Sequence, residues 1–194
     1  FDQSQSEYYV GYIQWHRGRL REAEAAFRRY LDMAERMNKA KPGDHDWQLE
    51  DVFAKTNVGI VLTELDRADD ALPLLTQARA QIAQISRSRP EDAVSYGNTI
   101  GWQAITLAAL GRTEDAIQAD KDKIAAAMSA PNADKDIDAQ FLVANAHTEI
   151  AGWQRDLGRL DDAATTARLA LGELETLNRR EPANVNYIAE IVAT

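Results

Sequence analysis

Three histidines, His16, His45 and His147, are the side chains of this protein best suited to move a proton or hold a metal near neutral pH. Their spacing supports neither role. No pair has a His-x₃-His separation, and each lies far from the others in the chain. Asp44-His45-Asp46 gathers three potential ligands, but metal sites need four or more converging donors. The tripeptide follows Pro42-Gly43, so it reads as a solvated loop. His147 and Glu149 are two residues apart on a helical pattern and point in different directions. There is no cysteine, which removes thiolate chemistry, disulfides and cysteine zinc sites. No G-x-S-x-G, Walker A, H-E-x-x-H or G-x-G-x-x-G pattern occurs. We assign no catalytic residue, no metal and no cofactor, and we read the chain as a non-enzyme.

Recognition is the chemistry better represented. Tyr8, Tyr12 and Trp15 recur at i, i+4 and i+7, so on a helix they form one stripe. Rigid rings give contact area at low entropy cost, and exposed clusters of them mark binding sites. The competing reading is that the stripe packs against another repeat of the same array.

The elements that must position these residues are helices. Ala, Leu, Glu, Arg, Gln and Asp dominate the 194 residues, and only 5 prolines interrupt them. The net charge of −9 would repel a phosphate backbone on average, so nucleic acid is not an expected partner. No stretch approaches 18 uninterrupted apolar residues, so no membrane partner is expected either.

Four heptapeptides align without gaps: residues 17–23 (RGRLREA), 65–71 (LDRADDA), 110–116 (LGRTEDA) and 157–163 (LGRLDDA). Their final alanines are 48, 45 and 47 residues apart, the signature of a repeat array. Gly18, Gly111 and Gly158 can take positive φ and end a helix, and Asp66 stands in their place in the second repeat. Acidic residues then crowd the next first turn, where they complement the helix dipole. Each motif is therefore a tight turn inside a helical hairpin. Helix A is expected at about 4–17, 46–65, 91–110 and 136–157, and helix B at about 19–40, 67–88, 112–129 and 159–180. Repeats run about 4–40, 46–88, 91–129 and 136–180, followed by a partial helix at 183–193. We expect one array over residues 1–194. Because the chain starts at Phe1, we also expect it to be a piece of a longer multidomain protein.

This pattern resembles the tetratricopeptide (TPR) family. Seven residues before each turn residue the family wants a small side chain, and Gly11, Gly59, Ala104 and Ala151 supply it. Five residues after the turn it wants alanine, met by Ala23, Ala71, Ala116 and Ala163. Four further on, Phe27 and Leu75 match the bulky position, Ala167 is smaller and Asp120 departs. The next small position is met by Ala78 and Ala170 but not by Tyr30 or Lys123. We expect Asp120 and Lys123 to weaken helix B of repeat three and leave it mobile. The period exceeds the usual 34 residues or so, so the helices should be long. Residues 44–59 resemble long-repeat arrays of bacterial multidomain signalling proteins.

The resemblance implies an all-α, right-handed α-solenoid of about four hairpins plus a partial terminal helix. It also implies that helix A lines a concave groove. Counting back from the turns, the expected partner-binding residues are Tyr8, Tyr12, Trp15, Asn57, Ile60, Glu64, Trp102, Ile105 and Arg155. The leading function is a protein–protein interaction scaffold that binds a peptide or partner helix there. The alternative is a sensory or autoinhibitory domain that acts on an attached catalytic or DNA-binding domain through dimerisation or a small ligand, with self-association or cis contact with missing domains among the expected partners. The expected compartment is the cytoplasm.

Overall fold

The computed structural model describes residues 2–194, apart from the side chains of Asp2 and Ala193. Nine α-helices and one short 3₁₀ turn account for the described chain, and no strand is present among the described residues. The helices are α1 (Asp2–His16), α2 (Leu20–Ala40), α3 (His45–Glu64), α4 (Ala68–Ser88), α5 (Ala93–Ala109), α6 (Thr113–Met128), α7 (Ile137–Asp156), α8 (Leu160–Arg180) and α9 (Val185–Ala193). The 3₁₀ turn is Pro90–Asp92, so α5 begins two residues later than the sequence suggested. The described chain divides into two compact units, residues 1–84 and 85–194.

All four turns close in the same way. Gly18, Asp66, Gly111 and Gly158 adopt φ of 69°, 58°, 72° and 75°. The next residue is an arginine each time, and its amide donates to the carbonyl five residues back: Arg19 to Gln14, Arg67 to Leu62, Arg112 to Leu107 and Arg159 to Gln154, each at 2.9 Å. That six-to-one bond satisfies a carbonyl the helix end leaves orphaned. Asp66 does what glycine does elsewhere because a short polar side chain tolerates the left-handed region.

The B-type helices are one-sided. In α2 the buried residues are Ala23, Ala26, Phe27, Tyr30, Leu31 and Ala34, a stripe at helical period. The A-type helix α3 is buried nearly all round, from Trp47 to Leu62. It packs on α2 and also against Leu75 of α4 at Gly59. Within residues 85–194, α5 packs on α6, α6 on α7, α7 on α8, and α8 on α9. Phe141 and Tyr187 close that end with ring centroids 5.2 Å apart.

Small residues stand where A and B helices touch. A methyl added to Gly11 would lie 2.5 Å from the Phe27 ring, and one at Gly59 would lie 2.6 Å from Leu75 Cγ. Both distances are below van der Waals contact, so the close approach depends on glycine. Ala23, Ala71, Ala104 and Ala116 are fully buried.

The expectation for repeat three is corrected. Helix α6 runs unbroken from Thr113 to Met128, and Asp120 and Lys123 are both buried in it. Lys123 Nζ donates to Asn145 Oδ1 at 2.5 Å and to Glu149 Oε2 at 3.0 Å, both on α7. Asn145 in turn donates to Glu190 of α9. The residues that break the family pattern tie three helices together. A methyl on Gly101 of α5 would meet Lys123 Nζ at 3.0 Å, so this glycine makes room for the lysine.

Candidate functional site

The A-type helices carry the expected partner residues at fixed distances before each turn, and the structure sorts those positions. Steps eight and five before the turn are packing positions. Val58 and Val61 are fully buried there in α3, and Gln103 and Thr106 are buried in α5. The same steps in α1 are Val10 and Ile13, which are 45% and 47% exposed. The face of α1 equivalent to a packing face is thus Val10/Ile13, offset around the helix from Tyr12 and Trp15.

In residues 1–84 the structure joins two of the predicted residues directly. Trp15 Nε1 of α1 donates to Glu64 Oε2 of α3 at 2.8 Å, across 49 residues of sequence. The partners sit three and two steps before their respective turns, so the bond marks one common edge of the two A-type helices. Trp15 begins a series of ring contacts. Its centroid lies 6.2 Å from Tyr12, and Tyr12 lies 6.0 Å from Tyr8 and 4.2 Å from His16. Tyr8 reaches inward to Tyr30 at 5.8 Å and Phe27 at 6.4 Å, so its ring is anchored on α2 while part remains open. Burial and the neighbouring Tyr12, Tyr9 and Glu50 raise the Tyr8 phenol above the usual range, so it stays neutral and a hydrogen-bond donor. Such pairing holds the rings in place before any partner arrives, which lowers the entropy cost of binding.

Three other positions differ in character. Asn57 is half-buried and donates to the Phe53 carbonyl of its own helix. Ile60 is only 5% exposed and belongs to the core, so it offers a partner almost no surface. Glu64 is exposed. In residues 85–194, Trp102 and Ile105 are half-buried on α5, and Arg155 is exposed on α7, with its guanidinium 3.3 Å from Asp156. These two helices are in contact with each other.

The histidine neighbourhoods also resolve. Asp44 is the N-cap of α3, its carboxylate accepting from the amides of Asp46 and Trp47 at 3.1 and 3.3 Å. That is the ordinary use of Asp at a helix start. His147 Nδ1 lies 2.8 Å from Glu173 on α8, whereas Glu149 turns to Lys123 on α6, so the two residues face opposite neighbours. Among the described residues no group of three metal-ligating side chains converges.

Sequence reasoning missed two buried polar clusters. In residues 1–84, Asp51 accepts from Lys55, from Asn38 Nδ2 at 2.9 Å and from Gln81 Nε2 at 2.7 Å. Nearby, the Tyr30 hydroxyl donates to Glu50 at 2.5 Å, and burial with this bond raises the phenol far above its usual range. In residues 85–194 the corresponding cluster is Asp120, Lys123, Asn145, Glu149 and Glu190. Burial beside Glu149 pushes the Asp120 carboxyl up to about 9, against the pull of Lys123. Ionised, neither Asp120 oxygen has a donor. Protonated, it donates toward Glu149. The available sequence signal was the pair of non-small residues, Tyr30 and Lys123, at a position that wants alanine.

No family model matches the chain, and no curated protein matches it. Solved structures do. The apo form of RapI is similar over 98% of this chain and 67% of its own, with TM-score 0.65 and 17% identity. MamA AMB-1 covers 88% of this chain and 98% of its own at TM-score 0.43, and a thermophilic TPR protein of Thermus thermophilus covers 98% of each at TM-score 0.38, both at 17% identity. The likeness of fold rests on the first of these. With the four turns and the helix pairing above, the chain has a TPR-like helical-repeat fold. No helix among the described residues is long and apolar enough to cross a membrane.

Proposed function

We propose that this protein is a non-catalytic interaction scaffold that holds a peptide or partner helix along the A-type helices, as the concave-groove reading of the family implies. In residues 1–84 the contact surface is Tyr8, Tyr12, Trp15, Asn57 and Glu64. In residues 85–194 it is Trp102, Ile105 and Arg155. Ile60 acts from beneath as part of the floor.

The observation that carries this reading is the Trp15–Glu64 bond. It holds an aromatic anchor and an acidic acceptor on one edge of α1 and α3, with the rings of Tyr12 and Tyr8 continuing from it. An apolar patch with an acidic end suits a partner that pairs an apolar side chain with a basic one. The net charge of −9 would speed the approach of such a partner and make it salt-dependent.

The test uses the 194-residue chain as bait, with captured proteins identified by mass spectrometry and their affinities then measured. Trp15→Ala should weaken the partner by tenfold or more, since an aromatic hot spot contributes roughly 2 kcal/mol. Asn57→Ala with Glu64→Ala should weaken it less. Each variant is first checked for unchanged helicity. A partner that tolerates both variants within about twofold, far short of a hot spot, would move the binding surface elsewhere.

A further inference from the structure

A second site lies on the B side of the last complete hairpin. A cavity of about 430 Å³ opens between α6 and α8 over a floor from α7, with walls of Met128, Val143, Leu169 and Leu177. Its volume falls within the range of sites that hold small organic ligands.

Three features of the sequence make this cavity, and each departs from the other repeats. Fourteen residues past the turn, α8 carries Gly172, where the other B-type helices have Asp32, Ala80 and Ala125. A methyl built on Gly172 meets nothing within 4 Å, so the glycine opens space and serves no close approach. Leu169 is 50% exposed at a step where Arg29, Gln77 and Asp122 stand elsewhere. Met128 is 53% exposed where the other repeats have Glu35, Ala83 and Glu175. Two large apolar side chains are thus spent on solvent at the mouth of the same cavity.

The charges around it are unequal. Glu173 lines the cavity but is engaged by His147 Nδ1 at 2.8 Å. Arg168 lines it too, is exposed, and makes no ion pair among the described residues.

From these observations we infer that the α6–α7–α8 cavity binds an amphipathic organic acid, with its apolar body against Met128, Val143, Leu169 and Leu177 and its single carboxylate on Arg168. Apolar walls supply affinity, and a guanidinium recognises a planar carboxylate through two parallel hydrogen bonds. The inference is independent of the proposed partner surface, which lies on the A-type helices.

Octanoate and 1-octanol are suitable probes, because they share an eight-carbon body and differ in the charged head. Methyl NMR spectra of the whole chain are titrated with each. Octanoate should shift Met128, Val143, Leu169 and Leu177 together and bind more tightly than octanol. Arg168→Gln should weaken octanoate about threefold to fivefold, the span of an exposed ion pair, and leave octanol unchanged. Gly172→Leu fills empty space, so it should fold with an equal or higher Tm and lose both probes. The inference is overturned if octanoate leaves those methyls unmoved, if octanol binds as well as octanoate, if Arg168→Gln affects both probes alike, or if the folded Gly172→Leu variant still binds.

Discussion

Repeats one and three both place a large polar side chain twelve residues past the turn, where repeats two and four keep alanine: Tyr30 and Lys123 against Ala78 and Ala170. The two solutions differ. Tyr30 fills its space with an apolar ring and ends in one hydrogen bond to Glu50. Lys123 brings a charge into the interior, where Glu149 and Asn145 receive it and Asp120 lies 3.9 Å away. The same contrast separates the buried aspartates. Asp51 receives three donors, whereas Asp120 receives none when ionised and is held as an acid. A repeat fold tolerates departures at its small positions if the replacement reaches a partner on the next helix. How much it then depends on that partner is set by how many donors each buried carboxylate has.

The comparison is broken most directly at the lysines. Lys123→Met leaves Glu149 without its buried cation, a change that typically costs about 3–5 kcal/mol. Lys55→Met leaves Asp51 with two amide donors, so its expected cost is about 1–3 kcal/mol. Urea denaturation of both variants reads the difference, and a larger loss for Lys55→Met would reverse our ranking of the clusters.

The glycines beneath the B helices sharpen it further. Gly59→Leu drives atoms into the buried Leu75 branch and should cost about 1–3 kcal/mol through overpacking. Gly101→Ala meets first the far end of the Lys123 side chain, which can yield, so its loss should be under about 1 kcal/mol. Thermal melts that rank the two variants the other way would show that the lysine is as rigid as the leucine.

The buried carboxylates also separate by their dependence on pH. Asp120 has its carboxyl raised from 3.8 to about 9 in the fold. The unfolded chain therefore binds fewer protons than the folded one between those values, and the stability from the neutral acid fades as pH rises through that window. It is fully present below 3.8. Asp120→Asn keeps an uncharged side chain throughout, so its urea midpoint should decline less between about pH 5 and pH 8 than that of the parent. Parallel pH profiles for the two proteins would show that Asp120 is ionised in the fold.

Much of the architecture was legible in the chain's own residue pattern. The turns were readable because positive φ restricts residue choice to glycine and a few short polar residues, so Gly18, Asp66, Gly111 and Gly158 had to recur. Small residues at Gly11, Gly59, Ala23 and Ala71 were readable because two helices cannot approach closely over a large side chain. The candidate surface was legible only as a set of positions. That Trp15 reaches Glu64 depends on how α1 and α3 lie side by side. That Ile60 is buried while Tyr12, at the same step, is exposed depends on what packs beside each helix.

The sequence by itself therefore determined the hairpins, their period and the residues at their contacts, because these follow from local backbone chemistry and from volume. Only the tertiary structure decided the fate of polar side chains at apolar positions. Lys123 has the look of a flaw in α6 and is a tie between α6 and α7, and Gly172 has the look of one more helix residue and opens a cavity. Burial and charge pairing depend on residues that are distant in sequence, and no window of the chain contains both partners.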